Sequence, residues 1–201
     1  MQLIAADRTD TAVEVRPADA AKGRDVQAAE RTTVAYTDGV LRIDAPAAGN
    51  QLLGRSGAIE VTVRLPAGSR VEATAAATEF RGVGRLGEVA FDGAYRQIKV
   101  DEAAGLRLTA TDGDVEVGRL GGSAQISTMR GDIRIAEAMG GTVVLHTRSG
   151  DISVAAAAGV SAALDAGTAH GRVSNSLQND GTAQLTVQAT TSQGDIAARS
   201  L

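Results

Sequence analysis

Apolar side chains recur at every second position over Leu106, Leu108 and Ala110, break at Gly113-Asp114, restart at Val115 and Val117, and resume with the same spacing at Ala124 and again at Val143. Three stretches, Leu106-Arg-Leu-Thr-Ala-Thr-Asp-Gly113-Asp114-Val-Glu-Val117, Ala124-Gln-Ile-Ser-Thr-Met-Arg-Gly131-Asp132-Ile-Arg-Ile135 and Val143-Val-Leu-His-Thr-Arg-Ser-Gly150-Asp151-Ile-Ser-Val154, are one phrase repeated, with aspartates 18 and 19 residues apart. A period of two sends alternate side chains to opposite faces of a strand. Self-similarity at about 20 residues marks a stacked array whose units bury their apolar faces only against neighbours. The phrase therefore predicts rungs in which Leu106, Ala124 and Val143 stack, as do Leu108, Ile126 and Leu145, then Val115, Ile133 and Ile152, then Val117, Ile135 and Val154. The intervening Arg107, Gln125 and Val144, and likewise Thr109, Ser127 and His146, face solvent.

The pattern extends in both directions. Units closed by glycine run from Gly68 to Gly87, Gly105, Gly122, Gly141 and Gly159. Beyond Gly159 the phrase loosens, with Gly171-Arg172-Val173 where Gly-Asp-Ile is expected, and Leu185 to Gly194-Asp195-Ile196 recovers it as a closing strand after a polar turn over 175–181. An array needs atypical ends, because an unpaired terminal strand recruits other chains. Toward the N-terminus, Thr11–Arg16 and Gly57–Leu65 alternate as antiparallel strands, and Asp38-Gly39 between Thr33–Thr37 and Val40–Ile43 is a two-residue hairpin turn. Ala18–Arg31 is charged and alanine-rich and fits either a helical turn or a polar crossover. The expected fold class is all-β: a single-stranded β-solenoid-like stack of ~18–20-residue rungs preceded by antiparallel strands. Residues 1–67 form the antiparallel region and 68–201 the repeat stack, in one continuous domain.

Composition narrows what such a stack can do. Aromatic residues make up only 2% (Tyr36, Phe80, Phe91, Tyr95), so the core is built from Ala, Val, Ile and Leu and is narrow. Net charge is −4 with both signs interspersed, and no basic, aromatic-interleaved patch suits a nucleic acid partner. The absence of cysteine removes disulfides, thiolate metal sites and a thiol nucleophile. No apolar run approaches the ~20 residues of a membrane-spanning helix, and Asp7, Arg8 and Asp10 stand where a signal peptide would be apolar. The chain as given reads as cytoplasmic, and as secreted or surface-exposed if a signal segment lies upstream of Met1.

The aspartates Asp114, Asp132, Asp151 and Asp195 are the one repeated ionisable constellation. Stacked at ~4.8 Å, neighbouring carboxylates repel by about 0.9 kcal/mol per pair even in bulk water, so something offsets that. A cation is one answer, most naturally calcium, with Asp114, Asp132 and Asp151 as ligands; but the nine-residue Gly/Asp phrase of calcium-binding β-rolls is absent. The other answer is structural: Gly113-Asp114, Gly131-Asp132, Gly150-Asp151 and Gly194-Asp195 are turns in which aspartate caps N–H groups, with Arg130, Arg134 and Arg148 as counter-charge. The structural answer is favoured, and no cofactor or catalytic residue is expected. His146 and His170 have no partner at metal-ligand spacing, Ser149 has no strand-to-helix elbow or base, and the glycine pairs 121–122 and 140–141 lack the Lys-Ser/Thr of a phosphate loop.

Ala5-Ala-Asp-Arg8 followed by Val13-Glu-Val15, Leu65-Pro66-Ala-Gly-Ser-Arg-Val71, Gly84-Arg-Leu-Gly87, the Gly-Asp-Val/Ile repeats and Ser192-Gln-Gly-Asp-Ile196 together cover nearly the whole chain. In this order they resemble the bacterial adhesin-named family of β-strand-repeat proteins, related to the toast-rack domains of envelope-stress systems. The resemblance implies a β-rich repeat fold and no established activity. Two departures stand out. Relatives carry a further strand before Leu3-Ile4, which would leave an open edge here, and Arg96-Gln97 and Gly171-Arg172 replace Gly-Asp.

A non-enzymatic scaffold or protein-interaction module is the leading function class. A surface adhesin or carbohydrate-binding protein is the alternative, and a polysaccharide-active β-helix enzyme a remote one, because it needs converging carboxylates and binding aromatics. Partners are expected to be an unidentified protein and, weakly, a second copy through strand edges.

Overall fold

The structure is a computed structural model that describes residues 1–45, 57–75, 78–94 and 96–201; Pro46 and Tyr95 lie outside the described residues. The chain forms β1 (Gln2–Ala6), β2 (Ala12–Pro17), α1 (Gly23–Glu30), β3 (Thr33–Thr37), β4 (Val40–Asp44), β5 (Ile59–Pro66), β6 (Val71–Thr74), β7 (Phe80–Ala94) and β8 (Ile98–Asp112). It continues as β9 (Val115–Leu120), β10 (Ala124–Arg130), β11 (Ile133–Ala138), β12 (Gly141–Ser149), β13 (Ile152–Ala156), β14 (Ala162–His170), β15 (Val173–Ser176), β16 (Leu185–Gln193) and β17 (Ile196–Ser200). This is a β-solenoid of about seven turns with a small antiparallel sheet, β3–β4, beside it.

From β5 onward each rung contributes one strand to each of two faces, while β1 and β2 join the first face alone. The first face runs β2, β5, β1, the start of β7, the start of β8, β9, β11, β13, β17, β15. The second runs β6, the end of β7, the end of β8, β10, β12, β16, β14. β7 and β8 are each 15 residues long and pass from one face to the other. Rung pairing is parallel, and its register is the one the repeat dictates: Leu106, Ala124 and Val143 align, as do Val115, Ile133 and Ile152. All twelve residues of the four expected inward files are at most 5% exposed. Arg107, Gln125, Thr109 and His146 are exposed and Val144 and Ser127 half-buried, as alternation requires. The inward residues of both faces form one core, in which Phe80 and Phe91 stack tilted with ring centroids 4.7 Å apart.

The order of rungs in space departs from the order in sequence at both ends. β1 is held between β5 and β7, hydrogen-bonded in parallel to each. The open edge expected at Leu3-Ile4 is therefore filled, and the N-terminal region is not purely antiparallel; among the described residues β2–β5 and β3–β4 are the antiparallel pairs. Likewise β16 lies between β12 and β14, and β17 between β13 and β15. The unit expected to close the array sits one place inside it, and the degenerate unit 162–176 forms the end. That end position explains its composition: Val173 is 47% exposed, whereas Ile196 and Ile152 in the same file are 1% exposed.

The hairpin turn is where the sequence places it, with Asp38 at φ 52° and Gly39 at φ 78°. Leu41 and Ile43 pack against the core, and Tyr36 stays 68% exposed. The alanine-rich segment resolves as α1, lying against β2 and β5. Its buried Asp25 accepts a hydrogen bond from the Ala58 N–H at 3.0 Å, which offsets the cost of burying a carboxylate.

Candidate functional site

Where each second-face strand turns into the next first-face strand, glycine and aspartate recur. Gly131 and Gly150 have φ of 130° and 154°, and a Cβ on either would stand 2.3 and 2.1 Å from the carbonyl oxygen of the glycine one rung earlier. Glycine is required there both by conformation and by the close approach of two backbones.

The aspartates that follow form a ladder. Asp114 Oδ1 accepts from the Asp132 N–H at 2.9 Å, Asp132 Oδ1 from the Asp151 N–H at 2.8 Å, Asp151 Oδ1 from the Asp195 N–H at 2.7 Å, and Asp195 Oδ1 from the Arg172 N–H at 2.8 Å. Each carboxylate thus caps a backbone donor of the next rung, and the order 114, 132, 151, 195, 172 traces the spatial stack. The N–H groups are what offsets repulsion along the row. No group of three or more potential metal ligands occurs among the described residues.

Arginine enters differently from the expected arrangement. Arg130 Nη2 bonds Asp112 at 2.8 Å, Arg134 lies on the outer first face, and Arg148 is exposed on the outer second face. A cation that pairs with the ladder is Arg172, whose Nη2 lies 2.8 Å from Asp195 Oδ2. That hydrogen bond, with the one from the Arg172 backbone N–H, holds the Asp195 carboxyl below the usual carboxylate range. Arg172 replaces aspartate in the last rung, where no further rung offers an N–H to cap. Its guanidinium instead closes the row with a positive charge.

A second row, missed by alternation because it is polar at inward positions, runs beside the first. Thr147 Oγ1 donates to the Gly131 carbonyl at 3.1 Å, Thr191 Oγ1 to the Gly150 carbonyl at 3.1 Å, and Thr168 Oγ1 to the Gly194 carbonyl at 3.0 Å. Thr147 is fully buried. The signal was the recurrence of threonine at one register in four units, Thr128, Thr147, Thr168 and Thr191.

The other candidate side chains are dispersed. His146 Nδ1 lies 2.9 Å from Thr190 Oγ1 on the outer second face, and His170 is exposed at the end of β14. Ser149 Oγ donates to Gln193 Oε1 at 3.4 Å. The second face presents Thr109, His146 and Thr190 in one row and Arg107, Gln125 and Gln188 in another. On the first face a shallow groove of about 260 Å³ runs over Gly118 and Ala136. The Lys99–Glu116 ion pair, at 2.9 Å, Asp101 and Arg134 border it.

The sequence matches the family described as Toastrack DUF4097 over residues 4–200. Among solved structures, it is similar to a protein from Clostridium sporogenes named "putative cell adhesion protein", at 8% identity and a TM-score of 0.48, covering 100% of this chain and 87% of that one. No curated protein matches.

Proposed function

The chain belongs to the Toastrack DUF4097 family, and from that premise we propose that it is a non-enzymatic β-repeat scaffold whose outer faces dock a protein partner. The observation that carries this reading is the use of the repeated carboxylates: each spends an oxygen on a backbone N–H of the next rung, so the row holds the stack together. What the repeat presents outward is two extended sheet faces, one with rows of hydroxyl, amide and arginine side chains and one with the charged groove at Lys99, Glu116 and Arg134. Flat polar surfaces with regularly spaced donors and acceptors suit protein docking more than turnover of a small substrate.

In-cell crosslinking of a tagged copy, with fractionation and identification of what co-purifies, tests the reading. One protein recovered stoichiometrically from a cytoplasmic fraction, and lost on Lys99→Glu with Arg134→Glu, supports it. Turnover of any substrate by the purified chain sinks it.

The rows of Thr109, Gln125, Gln188 and Thr190 favour a second reading, a carbohydrate-binding surface, because hydroxyl and amide groups on a flat face can bond sugar hydroxyls. A rise in melting temperature with one member of a glycan panel, abolished by Gln125→Ala with Gln188→Ala, would select it.

A further inference from the structure

The two ends of the solenoid are built differently. At the N-terminal end the outermost first-face strand is β2, which finishes at Pro17 and carries the Glu14–Arg16 ion pair, and α1 packs against it. The outermost second-face strand there, β6, has four residues and carries Glu72. Proline, charge, shortness and a covering helix are the devices by which a sheet edge is closed to further strands.

The other end has no proline, covering helix or shortness on its longer strand, and a single carboxylate. Among the described residues β14 pairs only with β16; it runs nine residues and contains neither proline nor lysine, and its one acidic residue is Asp165. Leu164 and Ala166, which point toward the core, are only half-buried, and Val173 of the adjoining β15 is 47% exposed. The start of this edge is covered, since the Ala162 N–H donates to the Gln178 carbonyl at 2.9 Å and Leu177 packs against the core; past it, over 164–168, the strand edge without a partner strand and the less covered end of the apolar core coincide.

We propose that this end is the dimer interface of the protein, occupied by the same end of a second copy, with β14 pairing antiparallel to its symmetry mate about a two-fold axis at Ala166. Three observations select that occupant. A head-to-tail contact would need the N-terminal edges, which are closed. Continuation as another parallel rung would need a carboxylate at the corner to cap the incoming N–H, and Arg172 stands there with its guanidinium turned back onto Asp195. In the antiparallel register centred on Ala166, Leu164 faces Thr168 and Asp165 faces Gly167, so the strand's one carboxylate meets an open position and not itself. Because only one end is open, association closes at two copies.

Gly167 provides the test, since a Cβ there meets nothing within 4 Å and its φ is not left-handed. Sedimentation equilibrium of the full chain is expected to give a reversible monomer–dimer equilibrium. Gly167→Asp would set two symmetric pairs of carboxylates opposite one another and weaken the dimer by about tenfold, whereas Gly167→Lys would tighten it by a similar factor. The melting temperature at monomeric concentration should be the same in all three proteins. A single monomeric mass at every concentration overturns the proposal, as does growth into longer polymers or a dimer indifferent to both substitutions.

Discussion

Arg172 and Asp195 are joined twice: the Arg172 backbone N–H meets one carboxylate oxygen at 2.8 Å, and its guanidinium meets the other at 2.8 Å. The pair holds the end rung to the C-terminal segment. Arg172 first, by its side-chain hydrogen bond, and its N–H next hold Asp195 below the ordinary aspartate range. A carboxyl whose folded value is depressed adds stability above its unfolded value and loses it as pH falls through the folded value. Arg172→Gln should therefore move the Asp195 titration up toward an ordinary aspartate and narrow the acid range over which the end rung stays ordered. Carboxyl-carbon NMR titration of both proteins checks this.

The ladder predicts a graded response at Asp132. Asp132→Ala removes the acceptor for the Asp151 N–H and should cost about 0.5–1.5 kcal/mol. Asp132→Asn keeps an oxygen acceptor and should recover most of that loss. Urea denaturation of the three proteins decides it, and equal losses for Ala and Asn would mean the charge matters and the cap does not.

Gly150 and Gly167 should respond oppositely to alanine. At Gly150, φ is 154° and a Cβ would stand 2.1 Å from the Gly131 carbonyl oxygen, so Gly150→Ala should cost about 3 kcal/mol or more by strain and displacement of a rung. Gly167→Ala enters open space and should change stability by no more than about 0.5 kcal/mol. The same denaturation experiment reads both.

Hydrogen exchange should reverse the expectation from sequence position. Strands β16 and β17 are bonded on both sides and β14 and β15 on one only, so amides of 185–200 should be better protected than those of 162–176. Equal or inverted protection would contradict the rung order.

The inward files were legible because alternation is local: Ile126, Ile133 and Leu145 announce their burial within a few residues of sequence. Rung order was not, because one phrase repeated several times pairs equally well with any copy of itself. The deciding information lay in the copy that fails. Arg172 in place of aspartate and an exposed Val173 make sense only in a terminal rung, and that leaves the better copy, 185–196, for the interior. The aspartate ladder could be anticipated as turn chemistry, but its partners could not, since an arginine placed by alternation alone, such as Arg134, can lie on the far side of a face. The threonine row escaped because Ala110 stands at its register in the first full phrase, hiding the recurrence at Thr128, Thr147 and Thr191.

Residues 185–200 fill a gap whose walls are β12–β13 on one side and β14–β15 on the other. During synthesis β14–β15 emerge before the strands they finally pair with, so any earlier pairing with β12–β13 has to open to admit residues 185–200. Growth of an ordinary repeat array can pause after any unit and leave a sound, shorter building. Here the inner course is delivered after the outer one, and a nascent chain stopped at about residue 184 lacks the strands that finally join β12–β13 to β14–β15.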